Sequence, residues 1–223
     1  MSFAIIVPAR KGSKSLKGKN LKKIKNIPLI EYTFKTIKEF KCNKFVLTND
    51  NKVKKIAKKY NINENYIRPE SVSLDKTSLV ETLIDFTSWA NKNNYKFKNI
   101  VILQATSPLR KKSDILKAIE IYKKNNFKSL FSISESVEHP YESIDVKKNK
   151  WNYVLPKAKK FYRRQDFDIN SYFINGAIYI IDVQYLKKNK KLISNHHGLY
   201  YMSKINSLDI NDLEDFKIAE KLI

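Results

Sequence analysis

Short apolar runs alternate with amphipathic stretches along most of this 223-residue chain, and that alternation limits its fold more tightly than any other feature. Phe3 to Val7 is apolar throughout and stops at Pro8; a helix is expected from Leu29 to Phe40, a strand from Lys44 to Thr48 and a helix from Val53 to Tyr60. Alternation of this kind predicts βαβ units, hence an α/β fold with a mostly parallel sheet flanked by helices. The series continues with a short strand at Tyr66 to Arg68, a helix from Ser78 to Lys92 and a strand from Asn99 to Leu103. Ser113 is expected to cap a helix reaching Asn125, and Ser129 to Ser134 reads as another strand.

Between about 135 and 175 the pattern breaks, becoming richer in charge and in aromatic residues such as Trp151, Tyr153, Phe161 and Tyr172. Regularity returns with a strand at Ala177 to Asp182 and a terminal helix at Leu213 to Leu222. One domain spanning 1–223 with a lobe or oligomer contact inserted in it is therefore expected. Cys42 is the only cysteine, so neither a disulfide framework nor a cysteine-based zinc site can form within one chain, and a reducing cytoplasm fits. No stretch approaches the roughly 18 apolar residues of a membrane span, and the N-terminus runs into a strand without a signal-peptide layout. The formal net charge of +22 would suit a nucleic-acid partner, but the lysines are spread over every segment rather than gathered into a stripe with aromatics. Neither nucleic acid nor membrane is expected.

The chain has four glycines, and two of them, Gly12 and Gly18, lie in the loop after the first strand with Arg10, Lys11, Lys14, Lys17 and Lys19. That combination of backbone freedom and positive charge suits a pyrophosphate or triphosphate. It is not a P-loop, because five residues separate the glycines and Asn20 follows Lys19. Pro8, Pro69 and Pro108 each follow a strand signal, and ligands of parallel sheets bind outside the carboxyl ends of the strands, so these three loops should share one edge. Gln104, Thr106 and Ser107 add amide and hydroxyl groups there, and Asn175-Gly176 precedes a strand. Near the end, Asp209, Asp212, Glu214 and Asp215 put four carboxylates into seven residues. Asp209 and Asn211 could share a Mg²⁺ with substrate phosphates, while Glu214 and Asp215 suit the first turn of a helix. His139, His196 and His197 have no metal-ligand spacing.

Taken together, Ile6 to Lys14 with Lys19-Asn20, Leu103 to Arg110, Asn175 to Tyr179 and Asp209 to Phe216 resemble the acylneuraminate cytidylyltransferases, in order and over essentially the whole chain. The resemblance implies a Rossmann-like nucleotidyltransferase fold, and a homodimer in which the 135–175 lobe of one subunit reaches the other's site. It also implies transfer of CMP from CTP to the anomeric hydroxyl of a nine-carbon α-keto acid of the sialic, legionaminic or pseudaminic type, with Mg²⁺. Arg10 and Lys19 would neutralise the triphosphate and, with Asp209, carry the catalysis, while Gly12 and Ser13 cradle the phosphates. Asn20, Arg68 and Ser78 would surround the cytidine. Gln104, Gln165, Asn175 and Tyr179 would line the sugar, with Arg164 on its carboxylate. The Gly-Ser-Lys and Asn-Gly-Ala-Ile-Tyr segments favour this branch over the sister enzymes acting on the eight-carbon acid Kdo. Two positions depart from the family: Asn211 stands where an aspartate is usual, leaving Asn211 or Asp212 as second metal ligand, and Ala105 stands where proline is usual.

Overall fold

The computed structural model describes residues 2–12, 16–73, 77–161 and 163–223. In chain order its elements are β1 (Phe3–Pro8), a short hairpin of β2 (Lys23–Ile24) and β3 (Ile27–Pro28), α1 (Leu29–Ile37), β4 (Asn43–Leu47), α2 (Asn51–Lys59), α3 (Leu79–Lys92) and β5 (Asn99–Leu103). Then come α4 (Lys112–Lys124), β6 (Ser129–Glu135), a second hairpin of β7 (Ile144–Lys147) and β8 (Lys150–Tyr153), β9 (Tyr172–Asp182), α5 (Val183–Asn189), β10 (His197–Tyr201) and α6 (Leu213–Leu222).

Six strands form one sheet in the order β10-β6-β9-β5-β1-β4. β1 is parallel to β4 and β5, and β6 is parallel to β10; β9 alone runs antiparallel, wedged between β5 and β6. Side chains alternate across the sheet, so β1 feeds two cores. Ile5 and Val7 pack with α1, α2 and α4 on one face, through Phe34, Val53 and Ile115; Ala4 and Ile6 pack with α3 and α5 on the other, through Phe86 and Leu186. Phe45, Phe86 and Trp89 stack edge-on in that second layer, which makes Trp89 a core residue. A third cluster joins Leu16, Ile24 and Leu29 to Ile210 and Phe216, and so docks α6 and the segment before it beside the first loop.

Several local expectations are corrected. Ser113 does not cap α4; Lys111 holds that position, its N–H donating to the Asp114 carboxylate at 2.8 Å. Tyr66 to Arg68 forms no strand, only an isolated bridge between Thr48 and Ile67, because the buried Tyr66 ring anchors it in the core instead. The strand expected from Ala177 begins at Tyr172, so the excursion from the sheet occupies 136–171 and carries the β7–β8 hairpin. Among the described residues no helix is long and apolar enough to cross a membrane.

Candidate active site

The loops after β1 and β5 and the one ending at Pro69 do share an edge. Arg10, Asn20, Arg68 and Gln104 line a single cleft of about 240 Å³ together with Pro8, Thr77 and Thr106. A smaller depression bordered by Arg10, Gly12, Lys19 and Asn20 adjoins it. Gly12 sits at φ +89°, where nothing stands within 4 Å of an added Cβ, so the loop needs its backbone freedom rather than its small size. Lys11 N–H donates to Asn49 Oδ1 at 2.7 Å and Asn20 Nδ2 donates to the Arg10 carbonyl at 3.3 Å, which braces the loop against the turn between β4 and α2 and against itself. Ser13 lies outside the described residues.

Arg68 is buried and rigid. Its Nε and Nη2 donate to the Val72 carbonyl at 2.8 and 2.6 Å, and Nη2 also donates to Thr82 Oγ1 at 2.9 Å. Burial pushes its pKa downward, the neighbouring Arg10 adding to that push, so two cations face one cleft. Ser78 caps α3: its Oγ accepts the Glu81 N–H at 3.1 Å while its own N–H donates to the Glu81 carboxylate at 2.8 Å. Its chain neighbours Thr77 and Leu79, rather than Ser78, line the cleft.

Gln104 is held from behind. Arg110, 2% exposed, donates through Nη1 to the carbonyls of Gln104 at 3.0 Å and Ala177 at 2.8 Å, and through Nη2 to Thr33 Oγ1 at 2.9 Å. Burial lowers the pKa of this guanidinium, opposed by the nearby Asp114 carboxylate. On the other flank Gly176, at φ +71°, lets β9 pass so close that an added Cβ would lie 3.2 Å from Gln104 Nε2. Pairing of β6 with β9 shifts register between Phe131 and Ile133, and side chains repair the irregularity. Asn175 Oδ1 accepts from Ser132 Oγ at 2.6 Å and from the Ala177 N–H at 3.1 Å, and the Ile178 N–H donates to Ser132 Oγ at 2.9 Å. The Asn175 amide nitrogen is buried without a hydrogen-bond partner. Tyr179 is half-buried on the same strand, its pKa raised by burial and then by the Asp209 carboxylate.

The acidic segment divides its duties. Asp212 caps α6, accepting from the Glu214 and Asp215 N–H groups at 2.8 and 3.0 Å, and Asp215 accepts the Asn211 N–H at 2.8 Å. Asp209 is free of the cap, and its Oδ1 is buried with no hydrogen-bond partner. A buried, unpartnered carboxylate oxygen is costly unless a cation completes it, so the donor set fits a divalent ion. Among the described residues no cluster of three or more His, Cys, Asp or Glu accompanies it.

Arg164 and Gln165 lie elsewhere. They sit in the 136–171 excursion, where Arg164 donates to the Glu142 carboxylate at 2.6 Å and to Glu138 at 3.2 Å. Sequence reasoning passed over Thr77 and Leu79, and over the positioning role of Arg110, while Thr106 lies where its segment was expected to put it. Thr106 and Arg110 belong to a segment already singled out, yet nothing in the order of residues marks that arginine as buried.

The sequence profile of the family described as cytidylyltransferase matches residues 4–220. Over 233 aligned residues the chain is 31% identical to the CMP-N,N'-diacetyllegionaminic acid synthase of Legionella pneumophila, which covers 100% of this chain and 97% of that one. It is 32% identical over 215 residues to the N-acylneuraminate cytidylyltransferase of Streptococcus agalactiae serotype V, covering 95% of this chain and 51% of that longer protein. Its backbone resembles the structure of CMP:2-keto-3-deoxy-manno-octonic acid synthetase complexed with CTP, with a TM-score of 0.72, 13% identity and coverage of 100% and 98% of the two chains. At that identity the likeness is one of fold. Matches that run the length of the chain on this architecture lead to one assignment: the chain belongs to the cytidylyltransferase family, as a CTP-dependent sugar nucleotidyltransferase of the acylneuraminate type.

Proposed function

We propose that this enzyme transfers CMP from CTP to the anomeric hydroxyl of a nonulosonic acid of the sialic, legionaminic or pseudaminic type. The observation that carries the reading is that relatives matched over nearly the full chain, from Legionella and Streptococcus, are named for that acceptor class. The acceptor oxygen bonds to the α-phosphorus, the bond from that phosphorus to the bridging oxygen breaks, pyrophosphate departs and the hydroxyl proton is released.

On this reading Arg10 and Lys19 take the triphosphate with the Gly12 and Ser13 backbone, and Asn20 and Arg68 border the cytidine, with Thr77 and Leu79 rather than the capping Ser78 beside them. Gln104, Asn175 and Tyr179 face the sugar. Asp209, with Asn211, would hold Mg²⁺; Asp212 is committed to its cap. Mg²⁺ there would neutralise charge on the α-phosphate and the leaving pyrophosphate. Most of the remaining work is positioning, and the fixed guanidiniums and the Lys19 ammonium pay no reorganisation at the moment of reaction. A homodimer would bring the excursion carrying Arg164 and Gln165 to a neighbouring site, where Arg164 would exchange Glu142 for the acceptor carboxylate. A cytoplasmic location completes the reading.

The test is pyrophosphate release from each of four NTPs with a panel of nonulosonic acids and Kdo. CTP-dependent release with a nine-carbon acid is expected; release with Kdo alone, or none with CTP, would overturn the reading.

A further inference from the structure

Asp114, in the first turn of α4, is a buried carboxylate that the chemistry described above does not use. Three donors converge on it. The Lys111 N–H reaches its Oδ2 at 2.8 Å, the Tyr200 hydroxyl its Oδ1 at 2.9 Å and the Asn206 side-chain amide its Oδ2 at 3.3 Å. The first of these is a helix cap. The other two come from β10 and from the segment after it, 86 and 92 positions along the chain, and a cap needs neither.

That segment, residues 203–210, carries Asp209. Within it the Ser207 and Leu208 N–H groups donate to the Ser203 and Ile205 carbonyls at 3.1 and 3.3 Å, which folds the segment on itself without fixing it to the sheet. Its two ends are fixed, since the Met202 N–H donates to the Ile133 carbonyl at 2.8 Å and the Ile210 N–H to the Thr106 carbonyl at 2.9 Å. In between, Leu208 packs against the third core cluster, Ile205 is exposed, and Lys204 forms an exposed ion pair with Glu135 that contributes little. Among the described residues, the hydrogen bond that ties the middle of the segment to another element is the one from Asn206 to Asp114.

The same carboxylate opposes the loss of charge that burial imposes on Arg110, and Arg110 holds the Gln104 carbonyl. One buried group thus stands behind both Gln104 and Asp209. A carboxylate suits this place because all three of its hydrogen-bond partners donate, and an amide there would present N–H to one of them.

We propose that Asp114 is a positioning residue for CMP transfer, setting the place of Asp209 through Asn206 and Tyr200 and that of Gln104 through Arg110. The inference rests on the cytidylyltransferase reading above. A reacting group displaced by about 1 Å loses on the order of 100-fold in rate, so a loosened segment should slow turnover more than it weakens CTP binding.

Asn206→Ala removes the tether and leaves the α4 cap and the bond from Tyr200 in place. With both substrates saturating, kcat should fall about tenfold while the KM for CTP moves by less than about twofold, and the urea midpoint should stay at the parent's value. Hydrogen exchange read by mass spectrometry, without substrate or Mg²⁺, should quicken about tenfold over 203–210 and stay unchanged over α4. In an Asp114→Ala background the same change should alter kcat by less than about twofold, because its partner is gone. Should that background fail to fold, the exchange and kcat of Asn206→Ala decide alone. Parental kcat or parental exchange in Asn206→Ala would overturn the positioning role and leave the functional reading standing. So would an equal fall in kcat in both backgrounds. A wild-type enzyme that releases no pyrophosphate from CTP with any nonulosonic acid would overturn the functional reading itself, and this inference with it.

Discussion

Lys19 and Ile210, 191 positions apart in the chain, are joined by a hydrogen bond of 2.8 Å from the lysine ammonium to the isoleucine carbonyl. One residue before that carbonyl is Asp209, so the bond fixes the cationic loop and the acidic segment relative to each other. The Thr106 carbonyl accepts the N–H of the same residue, so Ile210 is held on both sides. Lys19→Met removes both the charge and the tether. Activity, measured as kcat/KM for CTP, is expected to fall about 100-fold, and CTP should no longer raise the unfolding temperature as it does for the parent enzyme.

Asp209 and Asp212 are three positions apart and should separate cleanly. Asp209→Asn keeps the side-chain shape while removing the charge behind its one buried, unpartnered oxygen, so stability should hold within about 1 kcal/mol while turnover with Mg²⁺ is lost. Asp212→Ala deletes the cap of α6 and should cost about 1 kcal/mol in denaturant titration with turnover largely retained. The reverse pattern would exchange the two roles.

Arg110 holds three acceptors from three parts of the fold. Arg110→Met strands the Gln104 and Ala177 carbonyls and should destabilise the enzyme by about 2–4 kcal/mol. Arg110→Lys keeps a charge without the planar fork whose Nη1 takes both carbonyls while Nη2 reaches Thr33 on α1, so it should recover only part of that loss. Urea unfolding of the two variants side by side makes the comparison.

The sequence announced the parallel part of this fold because apolar runs such as Asn99–Leu103 and amphipathic helices have distinct periods. It could not announce the direction of β9, since an apolar run reads the same in a strand of either sense. β10 escaped because His197-Gly198-Leu199-Tyr200-Tyr201 mixes polar and apolar residues at an edge position. Site residues were legible where glycine and charge coincide, as at Arg10, Gly12 and Lys19. Ser78 and Asp212 show the limit: a hydroxyl or carboxylate at a helix start has the same signature whether it binds a ligand or the helix itself.

Gly176→Ala should act through Gln104. The added carbon would be forced into a left-handed backbone conformation 3.2 Å from the Gln104 amide, at a cost of about 1–2 kcal/mol. Steady-state kinetics should show a higher KM for the acceptor and little change for CTP.

Alkaline pH should expose the buried phenols. Tyr60 is pushed up to about 12, first by burial and then by its hydrogen bond to Glu31, and burial raises Tyr66, Tyr122 and Tyr200 as well. Unfolded tyrosines ionise near pH 10, as a free phenol does, before their folded counterparts do. The stabilising effect is therefore complete below pH 10 and is lost as pH rises toward 12. Tyr60→Phe should make that decline shallower in a pH series of thermal unfolding.

The reversed direction of β9 has one more consequence. Its neighbours deliver loops to the ligand edge, and loops accept insertions and exchanges without disturbing the sheet. β9 delivers a strand there, paired through Ile174, Phe173 and Tyr172 to β6. A single inserted residue in that stretch would turn every following side chain to the opposite face. On the proposed reading, exchange of residues on β9 can retune the substrate, while lengthening is open only in the loops that flank it.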